Sequence, residues 1–162
     1  MSVQSENLTQ DRVRVVNLHE EEWTAPAEYI GRPSILGNPY SLFANGATRV
    51  EVVERYRSEW LRPIVDDGRA GRWKHSLESE VLSLKSPAPL KGWPWGMGDD
   101  ARQAVWEAVL GLARRLAAGE TLTLLCYCHP LPCHGDVLAK CLRWLAGKER
   151  GSVGAGERGH RQ

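Results

Sequence analysis

The sequence predicts a small three-layer α/β domain with a mostly parallel sheet, on three observations. Strand-like and helix-like patterns alternate along the chain. One segment, "TLTLLCYC" (121–128), is apolar almost throughout, as a central strand buried on both sheet faces has to be. Helical patterns at 100–119 and after His134 bracket that strand and supply the layers that would cover it. A chain of 162 residues suits one core, here assigned to 12–146. The polar stretch 1–11 and the glycine-rich 147–162 are expected to be disordered.

Taken in order, "VRVVNL" (13–18) is valine-rich and alternating, and reads as a strand. "YIGRPSILGNPYSL" (29–42) has glycine and proline at short intervals, so it is expected to be a long structured loop. "TRVEVVERYRSEWL" (48–61) places Val52, Val53, Tyr56, Trp60 and Leu61 on one helical face, with Thr48 as N-cap and Pro63 as the stop. A shorter helix is expected over 76–84 and a Pro/Gly-rich loop over 85–100. In 100–119, Val105, Ala108, Val109, Leu112 and Leu116 form an apolar stripe, and Gly119 suits the position just past the helix end. A last helix should run from His134 to about Leu145, facing inward through Val137, Leu138, Cys141, Leu142 and Leu145. Only two strands are clear, so the sequence does not set the strand order.

Bulk composition excludes several function classes. The formal net charge of +1 gives no polyelectrolyte field for nucleic acid or an anionic membrane surface. No apolar run approaches the roughly 20 residues that span a bilayer, and the N-terminus lacks a signal-peptide core. A cytoplasmic setting is therefore expected. Thiols stay reduced there, which argues against a structural disulfide framework.

The chemistry-bearing stretch is "LLCYCHPLPCHGDVLAKCL" (124–142), which holds all four cysteines. It passes from buried strand through a tight turn into a helix, the place where open α/β sheets bind ligands. Gly135 permits close backbone approach there. Asp136 in the first helical turn either caps the helix or faces the cleft as an acid, base or hydroxyl acceptor. Cys126, Cys128, Cys133 and His134 (or His129) make a zinc-type donor set, though the spacing is cramped for one. A phosphatase-like thiol loop would need an arginine six residues after its cysteine. The positions in question hold Pro132, His134 and Ala139, which eliminates it. Cys133 lies just before a helix start, which favours a thiolate, while Cys126, Cys128 and Cys141 read as small apolar packing residues.

"GRPSILGNPY" (31–40) together with "CYCHPLPCHGD" (126–136) resembles the uncharacterised domain-of-unknown-function family numbered 4326. The later motif is also similar to a segment of another uncharacterised family with a Rossmann-like core. The resemblance covers about 12–146 and implies a single α/β domain in which the two motifs lie together. It carries no assigned chemistry.

From the residues themselves, the leading expectation is an enzyme acting on a nucleotide or nucleoside, by hydrolysis or transfer at an N-glycosidic bond. Arg32 would clamp an anion, Asn38 would read a base edge, and Asp136 would stabilise the cationic centre, with His134 beside it. Ser34, Gly37, Tyr40, Gly135 and Trp95 would complete the substrate site, and Glu80, Asp99 or Asp100 a second carboxylate. Arg32 on the open surface and Asn38 as a plain turn residue are the competing readings. The alternative function is a non-catalytic module with zinc in the Cys/His cluster and Trp93 and Trp95 as a stacking platform. No cofactor is expected for the enzyme, nor a nucleic-acid or membrane partner, and a homodimer is compatible with the sequence.

Overall fold

The computed structural model describes residues 12–24, 26–32, 34–40, 46–73 and 98–158, with side chains to 151. The expected helix 76–84, most of the loop 85–100, and Glu80, Trp93 and Trp95 lie outside the described residues.

Three strands form one all-parallel sheet: β1 (Val13–Asn17), β2 (Ala27–Tyr29) and β3 (Leu122–Cys126), in the order β1-β3-β2. The strand expected to be central is central. Leu122, Leu124 and Cys126 pair with Val13, Val15 and Asn17 and face the main apolar cluster. Val16 and Leu125, pointing the other way, are buried too. β2 escaped the sequence reading because "AEY" is three half-buried residues with no alternation to find.

Helix α1 (Arg49–Arg55) begins at Thr48 as expected. Thr48 Oγ1 accepts from the Glu51 N–H at 3.3 Å, and Glu51 Oε2 accepts from the Thr48 N–H at 2.7 Å. Pro63 does not end the rod, contrary to expectation. The chain widens into a π-helical segment (Tyr56–Leu61) and continues as α2 (Arg62–Arg69). The Arg62 N–H bonds five residues back to the Arg57 carbonyl. The wider turn gives the pyrrolidine ring room where α-winding would press it against a carbonyl. Val52, Tyr56, Trp60, Leu61, Ile64 and Val65 line the buried side.

Helix α3 (Asp99–Ala117) buries Val105, Val109, Leu112 and Leu116 of the expected stripe, widened by Trp106, Leu110 and Ala113. Gly119, at φ +101°, closes it, donating to the Leu116 carbonyl at 3.1 Å. At Gly68 of α2 a Cβ would enter the Trp106 indole, so glycine sets how closely α2 approaches α3.

Helix α4 (His134–Arg158) packs on β1, β3 and α3. It runs well past the expected end near Leu145, so residues 147–158 of the supposed disordered tail are helical. Arg150 supplies a reason. It donates to the Leu116 and Ala117 carbonyls at 3.1 and 3.2 Å, at the C-terminal end of α3 where the helix dipole favours a cation. No helix among the described residues is long and apolar enough to cross a membrane.

Candidate functional site

A cleft of about 340 Å3 opens at the carboxyl ends of the strands, the location that parallel sheets favour for ligands. One wall is the loop after β2, through Gly31, Arg32, Asn38 and Tyr40. The other is the β3–α4 turn, through Cys126, Tyr127, Cys128, Pro132, Cys133 and His134. Arg49, Val52 and Val53 of α1 close the third side. The two motifs therefore meet, as their shared Gly/Pro interruptions suggested.

The loop wall is built largely from its own side chains. Arg32 donates from Nε to the Asn38 carbonyl at 2.8 Å and from a terminal nitrogen to the Tyr40 carbonyl at 2.7 Å. Asn38 Oδ1 accepts from the Tyr40 N–H at 2.9 Å, and its Nδ2 donates to the Val52 carbonyl at 3.3 Å. Ser34 Oγ accepts from the Leu36 N–H, and Gly37 sits where a Cβ would crowd the Ser34 carbonyl at 3.0 Å. Asn38 is therefore a turn-forming residue that also lines the cleft, and neither Ser34 nor Gly37 reaches the lining. Tyr40 lies under the Arg55 guanidinium at 4.1 Å from the ring centroid.

The turn wall is held from β1. Asn17, buried at the end of its strand, donates to the carbonyls of Tyr127 (3.2 Å) and His129 (2.9 Å). Its Oδ1 accepts from the N–H groups of His19 and Glu20. Glu21 meets His129 Nδ1 at 2.6 Å, and this contact, with the Asn17 N–H, holds the Glu21 carboxyl below its usual range. The His129–Pro130 bond is cis. Sequence reading missed Asn17; the one available signal was an amide ending the valine run of β1.

His134 is buried, and its Nε2 donates to the Ile30 carbonyl at 2.7 Å. Burial, assisted by the Arg32 charge, pushes its pKa down, so the ring is held neutral. It fastens the start of α4 to the loop wall. Gly135 lies deeper, where a Cβ would sit 2.8 Å from Ile30 Cδ1 and 3.0 Å from Val15 Cγ1. It is needed for the packing of α4 on the sheet and does not line the cleft. Asp136 is exposed in the first turn of α4 and also lies outside the lining, which fits the helix-dipole reading.

The cysteines divide by position. Cys126 and Cys133 are buried, unbridged and 3.4 Å apart, sulfur to sulfur, on the cleft floor. The Cys133 thiol donates to Cys126. That donor holds the Cys126 thiol below its ordinary range, against its burial. Cys141 packs against the core, and burial pushes it up to about 12. Among the described residues, no group of three or more His, Cys, Asp or Glu side chains converges as a metal site. Sequence reading also missed Arg49 and Tyr127 as lining residues. Arg49 had a legible signal: a cation just after an N-cap opposes the helix dipole.

These features define a small α/β protein with a parallel sheet and an arginine-flanked cleft at its carboxyl edge. No curated protein and no solved structure matches the chain. The family model described as domain of unknown function (DUF4326) matches residues 15–144, and the chain belongs to that family.

Proposed function

We propose that the cleft binds a small phosphate-bearing molecule with a flat ring, of the nucleotide class. Arg49 carries the reading. It lines the cleft from the start of α1 and makes no hydrogen bond or ion pair among the described residues. The helix gains nothing from a cation at that end. Arg32 lines the opposite wall, and the described lining contains no carboxylate to oppose an anion. Tyr40, Tyr127, Val52 and Pro132 supply apolar surface for a ring, and the volume falls within the about 300–1,000 Å3 typical of small-ligand sites.

Cleavage or transfer at an N-glycosidic bond is the reaction to assay. That chemistry needs a carboxylate at the reacting carbon. Asp136 stands outside the described lining, so support for the proposal comes from ligand class and not from this residue.

The test is calorimetric titration with the four nucleoside 5′-monophosphates, with free nucleosides and inorganic phosphate as separate arms. One monophosphate should bind, more weakly as its nucleoside. Arg49→Ala should weaken binding by about tenfold, the scale of one charge-assisted contact. Binding unchanged in Arg49→Ala, or no monophosphate bound at millimolar concentration, would refute the reading.

A further inference from the structure

We propose that Cys126 and Cys133 form a peroxide-reactive dithiol on the cleft floor, with Cys126 as the attacking sulfur and Cys133 as the resolving one. The pair belongs to different elements, the end of β3 and the residue before α4, yet the sulfurs lie 3.4 Å apart with no bond between them. Packing alone does not explain how each sulfur is served. Cys126 takes the Cys133 S–H. Cys133 takes the Gly135 N–H at 3.3 Å. Donors aimed at sulfur stabilise a thiolate, the species that reacts with peroxide. Both residues line the cleft while being about 1% exposed, which selects a small, uncharged oxidant over a bulky disulfide.

The chemistry balances with hydrogen peroxide as the two-electron oxidant. The Cys126 thiolate attacks one peroxide oxygen, an S–O bond forms, the O–O bond breaks, and hydroxide leaves. Cys133 then attacks the Cys126 sulfur. The S–S bond forms, the S–O bond breaks, and the departing hydroxide takes the Cys133 proton as water. Closing the pair requires the sulfurs to move from 3.4 Å to about 2 Å, a side-chain adjustment between neighbours already in contact. An external dithiol reverses the step by thiol–disulfide exchange.

The test uses the full reduced chain, treated with hydrogen peroxide without denaturant, quenched, then denatured and alkylated. The intact mass should fall by about 2 Da, and alkylation should remain only on Cys128 and Cys141. Dithiothreitol should restore all four thiols. Cys133→Ser should stop at a Cys126 sulfenic acid, trapped by dimedone, and Cys128→Ser should leave the cross-link intact. Four alkylated cysteines after treatment, a cross-link through Cys128 or Cys141, or a Cys128→Ser protein that no longer cross-links would each overturn the proposal. None of these readouts depends on whether a nucleotide binds.

Discussion

The two walls of the cleft are both proline-interrupted segments, and they are held by opposite means. Both are short, interrupted twice by proline, and free of regular structure, with glycine in the loop alone. The loop 31–40 braces itself: Arg32 and Asn38 bind carbonyls and N–H groups largely of their own segment. The turn 127–133 is braced from outside, by Asn17 and Glu21 across more than a hundred residues of chain. The difference decides what each wall has left for a ligand. In the loop, the polar groups that look most like ligand readers are already committed to backbone. In the turn, an external residue does the bracing, and the sulfurs face the cleft.

The comparison is broken most severely at Asn17. Asn17→Ala removes four hydrogen bonds and leaves two carbonyls of the turn without their donor. Urea unfolding should show a loss of about 2–4 kcal/mol. A loss below about 0.5 kcal/mol would mean that the turn holds itself. Gly135→Ala pushes a methyl into Ile30 and Val15 and should cost about 1–3 kcal/mol.

Arg32→Lys sharpens the contrast from the other side. A lysine cannot span the Asn38 and Tyr40 carbonyls as the guanidinium does, so the loop should lose about 1 kcal/mol by thermal melting. The turn should be untouched, with hydrogen exchange at 127–133 unchanged.

His134 joins the walls, and its titration gives a pH signature. Its folded pKa lies below the unfolded value near 6.5, so between the two the unfolded chain binds the extra proton. Stability should therefore fall as pH drops below about 6.5 and level off beneath the folded pKa. His134→Asn should be less stable throughout and lose this part of the slope. A parent protein whose melting temperature rises on acidification through that window would contradict a neutral buried imidazole. The smallest effect belongs to Asp136→Asn, where only the helix-dipole interaction changes, by about 0.3–1 kcal/mol. Nucleotide binding should not change; a collapse of binding would return Asp136 to the site.

Legibility in the sequence followed the range of the interaction. The central strand and the stripe of α3 were readable because burial repeats with a fixed period. Thr48 was readable because its capping partner lies three residues away. β2 was too short to show a period, and Pro63 passed through the rod because a π-turn, invisible in composition, gave it room. The extension of α4 depended on carbonyls of another helix meeting Arg150. At the site, the meeting of the two motifs was legible, while the duties of Arg32 and Asn38 were not. Both are settled by which carbonyls lie nearby after folding.

The π-turn at Tyr56–Leu61 also means that the rod carries two helical phases. Each residue in an α-helix advances about 100°. Ahead of the turn, Val52 and Val53 point at the cleft; beyond it, Gly68 meets the Trp106 ring. Winding the same six residues as ordinary α-helix, with none removed, would swing everything after the turn by about that angle. The cleft side would stay where it is, and Gly68 would turn away from the indole it was shaped to receive. One surplus residue thus acts as a clutch between the wall of a binding site and the packing of a core, and it lets each half of the rod keep its own alignment.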